Sequence, residues 1–404
     1  MNKDQNGKDP ISIVQRGNLR SLETTLRKQW RLGQSIVLCW CWDERGLLVI
    51  FVPHYFLGNY CASKEAGGDS STNIDGSDSH DTVSDNEAYV RDLISGRRRK
   101  GRDELFSIAV RLGVSPTFIK LENPLEESIA VMGAVEQIIR RYGISFVEKR
   151  AVLLFDISDF SLFSSFEQAS QLNSLSYSMN SAYNKLLTRG IEVNFSRTTT
   201  GDGYYVWNRE IHPKSDQELF LFLLLVLADN AVARAASKGN TVPVIRSAFH
   251  IGSHYELYQA QAINPTVFSY IVGDVTIELA RIVEKTLPGQ VVVGDFATSL
   301  ADGQTSNDFV EICDSLTSGL EGMALMGEPV RGARCWLSHG ASSPLDLTIT
   351  DKHGLEHNAF NLQAELSLNQ SSLTLGLPPE ELEAAGSLSS AMPPENAGNA
   401  GKVA

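Results

Sequence analysis

Residues Thr198–Trp207 read TTTGDGYYVW and separate two segments of strand-like sequence. The preceding segment, Gly190–Thr199, alternates in polarity, and an aromatic, β-prone run follows. An Asp-Gly pair between two such segments predicts a β-hairpin in which Gly203 takes the positive φ of the turn. Turn chemistry alone is the simplest interpretation of this pair. A carboxylate on a fixed, tight turn is also suited to hold a cation, so Asp202 is a candidate ligand.

A second segment upstream supplies another carboxylate. Five apolar residues, Ala151–Phe155, are followed by Asp156 and a Ser-Asp-Phe-Ser turn. This pattern predicts a buried strand that delivers Asp156 at its end. A third segment, Val272–Ile282, reads VGDVTIELARI and is followed by Pro-Gly-Gln at Pro288–Gln290.

These three segments, in this order, resemble the catalytic domain of the class III adenylyl and guanylyl cyclases. The resemblance covers roughly residues 146–338. It implies an α+β fold with a ferredoxin-like core, in which helices pack on an antiparallel sheet. The apolar and amphipathic pattern itself predicts the order strand–helix–strand–strand–helix–strand, which matches that core.

The predicted chemistry is the cyclisation of a nucleoside triphosphate. The ribose 3′-hydroxyl loses its proton and attacks the α-phosphorus, and pyrophosphate leaves. Two divalent cations meet both demands, and Asp156 and Asp202 are the minimal pair of carboxylates to hold them. All-oxygen ligation predicts Mg²⁺ or Mn²⁺, two per site. Backbone amides in the turn after Asp156 are expected to bind the phosphates, as amide-lined concavities do, through Ile157, Ser158, Asp159 and Phe160.

The resemblance also implies a catalytic arginine, which Arg281 matches. In the family this arginine comes from the other subunit, so a homodimer with shared active sites is expected. Three positions depart from the family pattern, because the ribose-orienting residue falls on Ile277 and the base-reading residues fall on Thr198 and Tyr270. Asp159 stands where the family has a small residue. The nucleotide base is therefore left open.

Three functions remain on sequence grounds. The first is an active, divergent nucleotidyl cyclase in intracellular signalling. The alternative is a weak or inactive cyclase-homology domain that binds nucleotide or dimerises as a regulatory module. Another phosphotransfer reaction on the same core is the third, since fold does not fix chemistry. The cyclase interpretation requires that the carboxyl groups of Asp156 and Asp202 converge and that neither is buried against an internal basic partner.

Composition limits the class of protein. With 404 residues and 42% hydrophobic content, the chain can form two or three domains. The net charge of −13 disfavours a nucleic-acid binder. A polar start, an apolar Leu219–Ala228 that is too short to cross a bilayer, and five scattered cysteines predict a cytoplasmic protein with free thiols and no membrane insertion.

The predicted domains follow changes in composition. An N-terminal α+β regulatory region and a connecting helix precede the cyclase-like domain. The connecting helix is interpreted either as a coupling element or as a plain packing helix. His250 and His254 do not predict a zinc site, because on one strand they lie about 13 Å apart. The boundaries are 1–62 and 88–123 for the N-terminal region, 63–87 for a disordered acidic, Ser- and Gly-rich insertion, 124–145 for the connecting helix, 146–338 for the cyclase-like domain, 339–370 for a C-terminal β extension and 371–404 for a disordered tail.

Overall fold

The computed structural model describes most of the chain, and the account below is confined to that part. The described residues are 11–62, 78–191, 193–209, 214–261, 264–297, 305–325, 327–337, 346–350, 354–382 and 384.

The chain forms nine α-helices, three short 3-10 helices and fifteen strands over these residues. The helices are α1 Ile13–Trp30, α2 Phe56–Ala62, α3 Asp78–Ser95, α4 Arg102–Leu112, α5 Ile129–Arg140, α6 Ser165–Leu187, α7 Ser215–Ala236, α8 Asp274–Glu284 and α9 Ser306–Leu316. The strands are β1 Ser35–Asp43, β2 Gly46–Pro53, β3 Thr117–Lys120, β4 Ser145–Ile157, β5 Phe195–Thr199, β6 Gly203–Asn208, β7 Ile245–Gln261, β8 Asn264–Val272, β9 Val291–Gly294, β10 Ala324–Leu325, β11 Glu328–Pro329, β12 Gly332–Leu337, β13 Asp346–Thr350, β14 Glu356–Ser367 and β15 Ser372–Leu375.

Two compact units divide the chain. Unit 1 comprises Met1–Glu148 and Ser253–Gly273, and unit 2 comprises Lys149–Gly252 and Asp274–Ala404. The division falls within β4 and β7, so the boundary predicted at residue 146 lies inside a strand. The hairpin formed by β7 and β8 was predicted as part of the cyclase-like domain, whereas its described pairing lies in unit 1.

Unit 1 is built on a three-stranded sheet in the order β1-β2-β3. Strands β1 and β2 are apolar on both faces, and each face is covered by helices. One face packs against α2, α3 and α4. The other packs against α1 and α5, where Val131 and Val135 of the predicted connecting helix join Leu22 and Leu26 in one core. The connecting helix is therefore a packing element of this unit.

Unit 2 contains the sheet that positions the candidate site. Its strands run in the order β12-β14-β9-β7-β4-β6-β5. Taken in chain order, β4, β5, β6 and β7 are the four strands of a strand–helix–strand–strand–helix–strand unit, with α6 after the first and α7 after the third. In the sheet they lie side by side in the order β7-β4-β6-β5, which is the fourth, first, third and second strand of the unit. This arrangement confirms the predicted α+β, ferredoxin-like core. One neighbour departs from the antiparallel pattern, because β9 pairs parallel to β7.

Helix α7 lies in the core of unit 2 because almost its whole circumference is apolar. Leu219–Ala228 is buried without a break against the sheet and neighbouring helices. Ser215–Ala236 is also long and apolar enough to cross a membrane by length and composition, with 61% of its most apolar window buried inside the protein. A helix that is hydrophobic all round is expected at the centre of such a core.

The prediction of disorder was wrong for parts of two segments. Residues 78–87 of the predicted insertion are helical and open α3, whose later residues Val90 and Leu93 are buried. The rest of that segment, 63–77, lies outside the described residues. In the predicted tail, Ser372–Leu375 forms β15 on the edge of β14, because Leu373 and Leu375 pack on the core of unit 2. Residue 383 and residues 385–404 of the tail also lie outside the described residues.

Candidate active site

The end of β4 and the turn between β5 and β6 bring Asp156 and Asp202 together. Asp156 lies opposite Gly203 in the antiparallel register of β4 and β6. The backbone N–H of Ile157 donates to the carbonyl of Asp202 at 3.0 Å. The structure therefore places Asp156, on β4, beside Asp202, in the turn between β5 and β6, at one end of the sheet. The sequence motifs predicted that these residues lie close together, and their role as metal ligands stays a prediction.

The hairpin turn lies one residue earlier than the predicted one, and its glycine with positive φ lies two residues earlier. The positive φ belongs to Gly201, at 107°, and Thr200 N–H donates to the carbonyl of Gly203 at 3.0 Å. Gly201 and Asp202 are thus the two central residues, with glycine in the first position. Gly203 is required for a different reason: a Cβ there would lie 1.9 Å from the carbonyl oxygen of Phe155. The predicted role of Gly203 in the turn was therefore wrong.

Asp156 has an internal basic partner, so one of the two conditions that the sequence sets for the cyclase interpretation is not met. Arg246 of β7 donates from Nε to Asp156 Oδ2 at 2.6 Å, and from Nη1 to the carbonyl of Thr286 at 3.2 Å. The side chains are 13% exposed for Asp156 and 27% for Arg246. The sequence signal was a charged residue among the mostly apolar residues Val244–Ala248. Such a residue needs a buried acceptor.

The pKa of Asp156 reflects opposing effects. Burial raises it most, the hydrogen bond and charge of Arg246 lower it, and the nearby carboxylate of Asp202 raises it again. The net direction is upward from the ordinary value. The contribution of Asp202 follows from the proximity of the two carboxylates.

The carboxylate oxygens of Asp156 and Asp202 are suitable ligands for a hard divalent cation, but the net charge of the site is less favourable for one. Thr200 Oγ1 donates to Asp202 Oδ1 at 3.1 Å. Asp156 Oδ1 and Asp202 Oδ2 accept no hydrogen bond from the described part of the chain. Oxygen donors of this kind suit Mg²⁺ or Mn²⁺. Arg246 leaves the trio with a net charge of about −1, however, and among the described residues no group of three or more His, Cys, Asp or Glu side chains could hold a metal ion.

The turn after Asp156 offers fewer amides than predicted. The N–H of Ile157 donates to Asp202, and the N–H of Ser158 donates to the carbonyl of Val244 at 2.9 Å. Neither amide is available to a phosphate, so the prediction was wrong for these two. The amides of Asp159 and Phe160 make no hydrogen bond to other described residues. Asp159 has a left-handed backbone, with φ at 57°, and an exposed side chain.

Helix α8 carries Arg281 and Ile277. Val275, Leu279, Ile282 and Val283 are its buried face. Ile277 is 54% exposed, and Arg281 Nη1 lies 3.8 Å from Glu284 Oε2. The spacing of four residues places Ile277 and Arg281 on the same side of the helix.

Tyr205 connects α8 to the sheet face that carries Asp156. Its hydroxyl donates to the carbonyl of Thr276 at 2.9 Å. Burial and the charge of Asp156 raise the pKa of Tyr205. Thr198 pairs with Tyr205 across β5 and β6, so it shares this face. Tyr270 pairs with Leu257 in unit 1.

Comparison with known proteins gives structural similarity alone. No family model and no curated protein matches the chain. The chain is similar to solved catalytic domains of class III nucleotidyl cyclases. They include the guanylate cyclase domain of RhGC from Catenaria anguillulae in complex with GTP (13% identity, 54% of this chain and 97% of that one, TM-score 0.33). The guanylyl cyclase Cya2 (12%, 53% and 91%, TM-score 0.34) and the adenylyl cyclase CyaB from P. aeruginosa (11%, 54% and 95%, TM-score 0.33) are similar to it as well. At these values the similarity transfers no residue roles.

Proposed function

We propose that this chain is a divergent nucleotidyl cyclase that converts a nucleoside triphosphate to a 3′,5′-cyclic nucleotide and pyrophosphate in the cytoplasm. The observation that supports this most is the juxtaposition of Asp156, on β4 of a ferredoxin-like sheet, and Asp202, in the adjacent β5–β6 turn. Packing does not require two carboxylates at this place, since burial raises the pKa of Asp156 and the nearby charge of Asp202 adds to that rise. A bound cation offsets that repulsion, which gives the pair a function.

Asp156 and Asp202 would hold Mg²⁺ or Mn²⁺, which lower the pKa of the ribose hydroxyl and bind the triphosphate. In the reaction, the 3′-oxygen forms a bond to the α-phosphorus as its proton leaves. The bond from that phosphorus to the bridging oxygen then breaks, and pyrophosphate departs. The amides of Asp159 and Phe160 would donate to phosphate oxygens. Arg281 of a second copy would stabilise the developing charge, an effect worth about 3 kcal/mol or more.

A second candidate function is supported by other residues of the same site. Arg246 already neutralises one of the two carboxylates, at 2.6 Å, which is the internal basic partner that the cyclase interpretation excludes unless a cation displaces it. Ile277 offers no hydrogen bond to a ribose, and neither Thr198 nor Tyr270 matches the base-reading residues of the family. These features favour a catalytically inactive module that binds a nucleotide or dimerises.

A single assay separates the two candidates. The purified chain is incubated with Mn²⁺ and each of the four ribonucleoside triphosphates, and pyrophosphate and cyclic product are measured. The cyclase proposal expects product with at least one triphosphate and none in Asp156→Ala or Asp202→Ala. Asp43→Ala, which removes a turn aspartate from unit 1, is the matched control and should retain activity.

The opposite result would support the inactive module. It consists of no product with any triphosphate, together with a rise in melting temperature when nucleotide is added. Product formation that persists in both Asp156→Ala and Asp202→Ala would show that the activity arises elsewhere.

A further inference from the structure

Arg246 contacts one of the two carboxylate oxygens of Asp156 that a cation would use. Its Nε donates to Asp156 Oδ2 at 2.6 Å, a short, charge-assisted hydrogen bond. The same guanidinium is held from the other side, because Nη1 donates to the carbonyl of Thr286 at 3.2 Å. Two anchors on separate elements fix the arginine in this position, so the pair is a built feature of unit 2.

The pair is also partly withdrawn from solvent. Asp156 is 13% exposed and Arg246 is 27% exposed at the side chain. Charges in such places interact through a lower effective dielectric than charges on the open surface. A divalent cation at Asp156 would therefore be strongly repelled by the guanidinium, and it would have only one oxygen of Asp156 available.

The contacts of Arg246 are unequal in strength. The contact with Asp156 joins two opposite charges, whereas the contact with Thr286 joins a charge to a neutral carbonyl. A cation that takes over Asp156 removes the first contact and leaves the second. The guanidinium then remains near the site on its Thr286 anchor, with hydrogen-bond donors available to an anion such as a triphosphate.

We propose that Arg246 is a resident counter-ion that controls cation entry to the carboxylate pair. In the cation-free state it neutralises Asp156, and binding of Mg²⁺ or Mn²⁺ requires that this ion pair opens. The inference rests on the proposed role of Asp156 and Asp202 as cation ligands. It predicts that Arg246 weakens the binding of a cation alone, although it stabilises the empty site.

The direct test is the affinity for Mn²⁺ alone, measured by electron paramagnetic resonance. Arg246→Gln keeps an amide that can donate to Asp156 but removes the positive charge, so Mn²⁺ should bind about tenfold more tightly or better. Arg246→Lys keeps the charge and should remain within about threefold of the native chain.

Arg150→Gln is the matched control for net charge. Arg150 also lies on the sheet of unit 2, and its Nη1 is 3.7 Å from Asp216 Oδ2 in a similarly shielded pair. This variant should bind Mn²⁺ like the native chain. If Arg246→Gln bound Mn²⁺ no more tightly than the native chain, or if Arg150→Gln gained as much, the proposal would be overturned.

A second measurement uses the native chain and does not depend on the stability of the glutamine variant. The Nε–H resonance of Arg246, assigned by its loss in Arg246→Lys, is followed by NMR during titration with Mg²⁺. Opening of the ion pair should shift this resonance and increase its exchange with solvent, in parallel with binding. An unchanged resonance at saturating Mg²⁺ would contradict the proposal.

The outcomes also separate this inference from the proposed function. If the native chain binds Mn²⁺ and forms cyclic product but Arg246→Gln shows no gain, the control by Arg246 is wrong and the cyclase proposal stands. If only Arg246→Gln binds Mn²⁺, the control is supported and the inactive module is favoured. If no variant binds Mn²⁺, both fail.

Discussion

Two hairpins of this chain, one in each unit, are built alike and differ in chemistry. In unit 1, Asp43 ends β1 and pairs with Gly46, which opens β2. In unit 2, Asp202 lies in the β5–β6 turn directly before Gly203, which opens β6. In both, the glycine opens the second strand against a third strand. A Cβ at Gly46 would lie 1.9 Å from the carbonyl oxygen of Ile119, the same distance as at Gly203.

The two hairpins differ in the residue that the third strand places opposite the glycine. β3 places Lys120 opposite Gly46, whereas β4 places Asp156 opposite Gly203. Near the first turn, the N–H of Arg45 and the side chain of Arg102 lower the pKa of Asp43. At the second, burial raises the pKa of Asp156 and Asp202 adds to it. A turn sequence therefore fixes where a carboxylate stands, and the neighbouring strand decides what that carboxylate can do.

The largest expected loss of stability tests the feature that both hairpins share, the close approach of the glycine to the third strand. Gly203→Ala and Gly46→Ala each push a methyl group into a backbone carbonyl that cannot move freely, so each should lower the free energy of unfolding by about 2–3 kcal/mol. Urea unfolding measures the change. Gly332→Ala in β12 is the control, because open space surrounds its Cβ. Equal stability of Gly203→Ala and Gly332→Ala would contradict the close approach of β4 and β6.

Lowering the pH should reduce the stability of unit 2, because His250 of β7 is buried. Burial lowers the pKa of His250 from 6.5, while the Ile251 carbonyl, Glu278 and Asp295 oppose that effect and His357 adds to it. The unfolded state then binds the proton more readily than the folded state. Stability should be complete above pH 6.5 and fall as the pH drops below it, by at most about 1.4 kcal/mol per pH unit.

Hydrogen exchange of β7 amides between pH 7.5 and 5.5, corrected for intrinsic rates, measures this loss. His250→Gln should remove the pH dependence, and the exposed His54→Gln should leave it unchanged. An identical pH response in His250→Gln and the native chain would show that another group is responsible.

The smallest expected change in stability distinguishes Asp43 from Asp202. Asp43→Ala removes the contact of Asp43 Oδ2 with Arg102 Nη1 at 2.9 Å and the bond from Arg45 N–H, so it should lower stability by about 0.5–1 kcal/mol. Asp202→Ala removes a charge that repels Asp156. In a buffer with EDTA it should leave stability unchanged or raise it slightly. A loss in Asp202→Ala as large as that in Asp43→Ala would remove the contrast between the turns.

Sequence patterns located most of the elements that build the site, but not the contacts among them. The apolar run before Asp156 and the hairpin after Thr198 were both found, because a run of apolar residues and a turn glycine are local signals. Arg246 was missed as a partner of Asp156, although it lies in a recognised strand. The two residues are 90 positions apart, and their contact depends on which strands are neighbours.

Local sequence patterns also failed to predict order at the ends of two segments. The helix at 78–87 and the strand Ser372–Leu375 were predicted as disordered, since their composition is polar and neither is strongly patterned by itself. Each gains its order from the element that it extends or pairs with: α3 continues into the buried residues Val90 and Leu93, and β15 pairs with β14.

The sequence by itself determined the α+β class, the order of strands and helices in the core, and the two carboxylates that end β4 and form the hairpin turn. These features follow from side-chain periodicity and backbone preference within a few residues. Only the tertiary structure decided that Arg246 neutralises Asp156, that the amides of Ile157 and Ser158 are already engaged, and that Tyr205 ties α8 to the same face. Those contacts join distant segments, and the sheet order that brings them together is set by packing of the whole unit.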